Sequence, residues 1–282
     1  MGITQAVNLE MIAARTGDLP PLPASAMRAM QMTKDPEVTA SELQTVISQD
    51  QALSAKILRI VNSAMYSLRR EVSTVSHAVT ILGMENLRSI IMAASIQQFN
   101  ETGMRRAGGL ATRLLADHSW CAAVAARAVA RHIRYPNLEE AFLCGLIHDL
   151  GKPALLFCIP DRYSEIFNDA YRGAATFHDA EISGLGFTHA QVGSMLAQKW
   201  NFPQHLCEAI GYHHDPLSAP KFAKLACVTS LANQMMVFLE IGFEKNPNLK
   251  LDGLPEVAHL KLNRPALDSI LNEVKASQKQ QA

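Results

Sequence analysis

The residues of this chain that could do chemistry are a group of histidines and one acid. His148 and Asp149 stand side by side in Cys144-Gly-Leu-Ile-His-Asp-Leu-Gly-Lys152. They close an apolar helical run, with Gly151 read as a helix stop and Lys152 just beyond it. An imidazole nitrogen and a carboxylate oxygen at a helix end can hold one divalent cation between them. The pair alone carries little weight, because His-Asp also occurs at 178–179 and 214–215. The wider set raises the signal. His118 lies upstream on a long Ala-rich helix, and His189 and the doublet His213-His214 lie downstream, each on its own predicted helix.

The elements that must position these groups read as helices throughout. Residues 4–15 read as a short amphipathic helix, followed by an extended link imposed by Pro20, Pro21 and Pro23. Helices are expected over 24–34 and 40–48, the second opened by a Thr39/Glu42 capping box. Asp50 caps another helix, and Ser73 or Thr74 begins one that Gly83 stops. Glu85 to Gln98 follows. Gly103, Gly108 and Gly109 then mark a turn and the expected subdomain boundary. Beyond it, a helix over 110–133 carries His118, and Asn137 caps the helix ending in His148-Asp149. Short helices are expected over 161–172 and 177–184, with Gly173 and Gly184 near their ends. A Thr188/Gln191 capping box makes His189 the first residue of its helix. Residues 203–214 end in the histidine doublet; helices over 219–241 and 264–277 and a frayed tail complete the chain. No stretch alternates with period two, so the fold class is all-α.

Composition sets outer bounds. The 282 residues can bury a sizeable core, and 48% of them are apolar, which excludes a disordered chain. The 26 basic and 26 acidic side chains cancel, so no broad nucleic-acid surface is expected. The five cysteines form no Cys-x-x-Cys pair and read as buried free thiols, which fits a reducing cytoplasm. No signal peptide and no membrane span are expected.

The order His … His-Asp … His … His-His resembles the metal-binding pattern of the HD phosphohydrolase superfamily, and of its HD-GYP branch in particular. Four further motifs narrow the resemblance: Leu19-Pro-Pro-Leu-Pro23, Ile47-Ser-Gln-Asp-Gln-Ala-Leu53, Leu58-Arg-Ile-Val-Asn-Ser-Ala-Met-Tyr66 and Ala78-Val-Thr-Ile-Leu-Gly83. Together they look like the HDOD domain (HD-related output domain) of bacterial signalling proteins, from about Leu19 to Asp215. The Gly-Tyr-Pro signature of HD-GYP is absent, since Asp215-Pro216 follows the doublet. The resemblance implies an HDOD fold: an N-terminal helical subdomain (1–105), an HD-like metal-binding helical bundle (106–218), and C-terminal helices packed on it (219–282). It implies a site formed by His118, His148, Asp149, His189, His213 and His214 that holds one or two divalent transition-metal ions, with Fe, Mn, Zn or Ni suiting the donors.

The residues themselves leave alternatives open. Taken alone, His118 reads as a core histidine bonded to a carbonyl, and His189 as a first-turn residue whose capping box is its whole meaning. Adjacent helical residues point about 100° apart. His213 and His214 are therefore not expected to meet one ion in the same way. By resemblance Asp149 and Lys152 are the catalytic pair, with Lys152 as a phosphate contact; a solvated lysine after a helix stop is an equal reading. Glu181 reads either as support for His189 or as part of a solvated face. Asn62-Ser63 is expected to hydrogen-bond a helix end or an interdomain contact. The superfamily closes its site with an aspartate, and Asn233, in Leu225-Ala-Cys-Val-Thr-Ser-Leu-Ala-Asn-Gln234, falls at that place. Leu114 stands where a third-metal glutamate would be, so no third ion is expected.

Two functions compete. One is a regulatory output module in signal transduction that keeps its divalent-metal site, with a protein partner or nucleotide as ligand. The other is an active metal-dependent phosphohydrolase acting on a phosphoester or nucleotide.

Overall fold

In the computed structural model, side-chain caps fix where many helices begin. Thr39 and Thr188 each accept the N–H three residues on, while Glu42 and Gln191 reach back to the cap N–H. This reciprocal bonding satisfies two donors that the helix start leaves unpaired. Asp50, Thr74 and Asn137 accept first-turn N–H groups at three further starts. Each such cap contributes about 1 kcal/mol. The structure describes residues 8–16, 19, 21–66, 68, 70–104, 108–173 and 175–281. The beginning of the expected first helix, Pro20 in the proline link, and residues 105–107 of the glycine turn lie outside them.

Among the described residues there are sixteen α-helices and no strand. The first group is α1 (Leu9–Arg15), α2 (Ala24–Met32), α3 (Ala40–Ile47), α4 (Gln51–Val61), α5 (Val75–Leu82) and α6 (Met84–Gly103). The central group is α7 (Gly109–His132), α8 (Leu138–Ile147), α9 (Gly151–Cys158), α10 (Pro160–Tyr171), α11 (Phe177–Leu185), α12 (His189–Lys199) and α13 (Gln204–Gly211). The chain closes with α14 (Ala223–Phe238), α15 (Pro255–His259) and α16 (Arg264–Gln281). The α7–α8 pair is the axis of the molecule: α14 and α16 pack on α7, and α6 packs on α8. Buried Ala122, Ala123, Ala125 and Ala126 keep α7 slim enough for neighbours on several sides. On the far flank, α12 packs on both α9 and α13.

The buried core runs without a break from Ile12 to Val274. A polar clamp joins the first helices to the axis. The Tyr66 hydroxyl donates to Glu139 at 2.5 Å, Arg127 donates to the other Glu139 oxygen at 3.0 Å, and the guanidinium lies 5.3 Å from the Tyr66 ring centre. Residues 1–105 expressed alone should therefore yield an unstable or aggregating fragment, because the face of α6 that packs on α7, α8 and α9 loses its cover. A cooperative melt from a monomeric 1–105 fragment would show instead that the first part folds unaided.

Several expectations need correction. Gly151 opens α9 rather than stopping the preceding helix. A Cβ there would lie 1.9 Å from the His189 carbonyl oxygen, so glycine is required by the close approach of α9 to α12. The doublet lies beyond α13, which ends at Gly211, so His213 and His214 sit in a turn. Gly184 lies near the end of α11 as expected, and Gly186, left-handed at φ 78°, caps it. The tail is helical through Gln281, and α15, which opens on Pro255, was not anticipated.

All five cysteines are buried, and Cys121, Cys144, Cys207 and Cys227 are free thiols. The stretch Leu138–Cys158 is long and apolar enough to cross a membrane by length and composition, yet 94% of its apolar window is buried inside the protein. It comprises α8, the turn at His148–Leu150, and α9. Asn62 caps α4 and clips Val72, donating to its carbonyl at 2.8 Å and accepting its N–H at 2.7 Å.

Candidate metal centre

Four buried imidazoles are held from behind. Nδ1 of His118 faces the Ile241 carbonyl at 3.1 Å, His148 the Gly145 carbonyl at 2.8 Å, and His213 the Ile210 carbonyl at 2.6 Å. Nδ1 of His189 lies 2.7 Å from Glu181 Oε2. A carbonyl or carboxylate oxygen can only accept, so each Nδ1 carries a proton, and in the neutral rings of His118, His148 and His213 the Nε2 presents a lone pair. These Nε2 atoms converge. His118 and His148 stand 3.1 Å apart, and each is 3.4 Å from Asp149 Oδ2. His189 Nε2 is 3.3 Å from that of His213 and 3.1 Å from that of His214, and 3.2 Å from Asp149 Oδ1.

Lone pairs aimed at one another repel unless a cation or a proton lies between them. Metal–ligand bonds of about 2.1 Å place neighbouring ligands about 3.0 Å apart in an octahedron and about 3.4 Å apart in a tetrahedron. The observed separations fall on those edges. Two groups of donor atoms, His118/His148/Asp149 and His189/His213/His214, each fit within 4.8 Å. Asp149 belongs to both by geometry, with Oδ2 facing the first group and Oδ1 the second. Oδ1 is buried with no aligned hydrogen bond, an acceptor left for something else. The set of imidazoles and a carboxylate thus fits one or two divalent transition metals.

The elements place each group for local reasons. His118 is mid-α7, and the loop after α14 closes on it. Gly242 there has φ +106°, and a Cβ would come within 2.8 Å of His118 Nδ1. His148 and Asp149 occupy the turn between α8 and α9, which packs on α12 and so brings Asp149 to His189. Because the doublet is not helical, its two rings lie 4.1 Å apart and both reach toward His189, unlike the divergence expected of helical neighbours.

Charge is arranged to match. Burial pulls the His148 imidazole down to about 4 and also lowers His118, His213 and His214, so these rings are neutral, ligand-ready bases. Burial pulls His189 down most strongly, but the Glu181 charge and the hydrogen bonds to Glu181 and Asp149 together outweigh it and raise the ring to about 9, so without an ion the ring holds a proton that metal binding would displace. Burial pushes Asp149 up, yet His148, Lys152 and His189 together hold it well below the usual carboxylate range. Lys152 is not solvated. It is buried in the first turn of α9, donates to Asp149 Oδ2 at 2.8 Å, and lies 4.4 Å from the Phe177 ring centre.

The structure therefore brings together His118, His148, Asp149, Lys152, His189, His213 and His214. Asn233 is buried on α14, which packs on α7 and α13, and makes no described hydrogen bond to either group. Leu114 is partly buried one turn before His118. Glu181 is the residue the sequence left undecided. It is fully buried, takes the His189 backbone N–H at 2.7 Å, and accepts the Tyr163 hydroxyl at 2.6 Å. Its spacing of eight from His189 matches no repeat that could have flagged it. Glu181→Gln should cost about 10–100-fold in affinity for an ion at His189, as loss of an orienting carboxylate does. Metal titration with unchanged affinity would show that Glu181 serves packing alone.

Comparison with known proteins places the fold. The HDOD domain family model matches residues 19–216, and the chain belongs to that family. An HDOD domain protein of unknown function from Geobacter sulfurreducens is 27% identical, with a TM-score of 0.77 over 95% of this chain and 96% of that one. A Shewanella amazonensis protein provisionally described as a phosphohydrolase is 24% identical, with a TM-score of 0.73 over 96% of this chain and 98% of its own. A Marinobacter aquaeolei protein provisionally described as a signal transduction protein is 21% identical, with a TM-score of 0.67 over 99% of this chain and 60% of its own. These likenesses bear on the fold. An uncharacterized Treponema pallidum protein is 27% identical over 244 residues, and the match spans 84% of this chain but only 46% of that protein.

Proposed function

We propose that this chain is a regulatory output module of signal transduction built around a retained divalent-metal centre. The observation that carries the reading is the convergence of imidazole Nε2 atoms on the two oxygens of Asp149. His118 and His148 with Asp149 Oδ2 would hold one ion; His189, His213 and His214 with Oδ1 would hold a second. When bound, such ions supply Lewis acidity toward a phosphoryl oxygen and lower the pKa of a coordinated water. The chain's own residues do the rest. Glu181 fixes the tautomer of His189, and Lys152 balances the charge of Asp149.

Hydrolysis of a phosphoester or nucleotide is the second reading, and one observation favours it. A pocket of about 940 Å³ opens beside the second group and is lined by Thr188, His178, Tyr212 and His214. No lysine or arginine is among its described lining residues, so an anionic group there would depend on metal and on Lys152 for its counter-charge. Asn233 decides our preference for regulation. An amide keeps an oxygen at the place where the superfamily puts a carboxylate but carries no charge.

The test is elemental analysis of protein purified without chelator, then a screen of phosphodiesters and nucleotides at matched metal loading. Near-stoichiometric metal with little turnover is expected. Asn233→Asp should tighten metal binding roughly tenfold, toward the range seen for supporting carboxylates, and raise phosphodiester turnover. Brisk hydrolysis by the unmodified chain, unchanged by Asn233→Asp, would overturn the regulatory reading. A chain free of metal would overturn both.

A further inference from the structure

A second cavity, of about 1110 Å³, lies apart from the pocket at His214, between α4, α6 and α7. Asn62 and Ser63 line it, and their polar atoms are already committed: Asn62 to Val72, and Ser63 to the Ile60 carbonyl. Two other lining groups are not. The Ser119 hydroxyl and the Asn100 side-chain oxygen are buried without a hydrogen-bond partner, and Ser119 is only 4% exposed. Groups of this kind carry an unmet desolvation cost unless something in the cavity bonds them. Asn100 Oδ1 needs an N–H or O–H donor, and the Ser119 hydroxyl can give or take. Leu58, Met104, Leu146 and Trp120 supply an apolar face of the wall, with Ser73, Gln97, Thr112 and Ser277 also lining it.

Charge narrows the class. Arg59 is the one cation among the described lining residues, against Glu71, Glu101 and Asp117. The cations nearby are already engaged: Lys56 with Glu101 at 2.6 Å and Arg113 with Asp117 at 3.7 Å. Nothing described in the cavity favours a multiply charged anion. We infer that this cavity is a binding site for a neutral, planar heterocycle bearing N–H donors, of which a purine nucleoside is the simplest biological form. Its faces would pack on the apolar wall and its edge would bond Asn100 and Ser119. Ser119 adjoins His118 on α7, so the site shares a helix with the metal centre, yet the inference does not depend on metal being bound.

The test uses the full chain with Trp200→Phe, which leaves Trp120 as the lone tryptophan. Adenosine should change Trp120 fluorescence saturably at sub-millimolar concentration, and adenosine monophosphate should bind no tighter. Ser119→Ala and Asn100→Leu remove orphaned polar groups, so each should melt no lower than the parent while binding adenosine about tenfold more weakly. A merely structural role would leave binding unmoved. Three results would overturn the inference: no saturable response to adenosine, tighter binding of the monophosphate than of the nucleoside, or full affinity in both variants.

Discussion

Asp149→Asn is expected to empty both halves of the metal centre together, with at least about 100-fold weaker binding at each. Among the described residues, Asp149 is the carboxylate that reaches both groups. Oδ2 is 3.4 Å from the Nε2 atoms of His118 and His148, and Oδ1 is 3.2 Å from that of His189. His148→Ala, by contrast, should deplete only the ion beside His118. Elemental analysis of the two variants separates a shared ligand from two unrelated ones. Equal, partial loss in both would mean that Asp149 serves one ion only. The asparagine keeps volume and one oxygen, so Lys152 retains an acceptor. Asp149→Ala would leave a buried ammonium unpaired, which costs about 3–5 kcal/mol and would confuse metal loss with unfolding.

Gly151→Ala should cost about 3 kcal/mol, the largest effect expected of one added methyl group in this chain. The new Cβ would lie 1.9 Å from the His189 carbonyl oxygen and 2.9 Å from the Gly193 nitrogen, and both are backbone atoms that cannot rotate away. α9 and α12 must part, and with them Asp149 and His189. Thermal melts in excess chelator should show the loss, since it is a packing effect that precedes any ion. Gly173→Ala supplies the contrast. Its φ of 73° strains an alanine, yet a Cβ there meets nothing within 4 Å, so its penalty is about 1 kcal/mol. A Gly151→Ala chain that melts like the parent would show that the two helices do not need this closeness.

Much of this was legible from local chemistry. Thr39, Asp50, Thr74, Asn137 and Thr188 announce their helices because a capping side chain bonds residues two or three positions away. The histidines and Asp149 were legible as a set because their types suit one task. What failed was long-range. Gly151 looks like a stop in sequence, and only its contact with His189 shows why it begins a helix. Without that helix, Lys152 looked solvent-exposed. The doublet looked helical because nothing nearby in sequence marks Gly211 as an end. Glu181 stayed ambiguous because its partners, Tyr163 and His189, are fixed by how α10, α11 and α12 fold together.

The loop behind His118 has a consequence of its own. Ile241 gives its carbonyl to Nδ1 of that ring, and Gly242 packs on it. An ion that binds only when His118 is in place therefore also binds only when this loop is closed. The free energy of opening the loop and the affinity of the ion are then linked, each shifting the other. Loading the centre should slow amide exchange along 241–244, and a partner that gripped the closed loop would strengthen the ion by the factor by which the ion strengthens the partner. The segment after α14 would thus read out the metal state to whatever docks there, without a domain having to move.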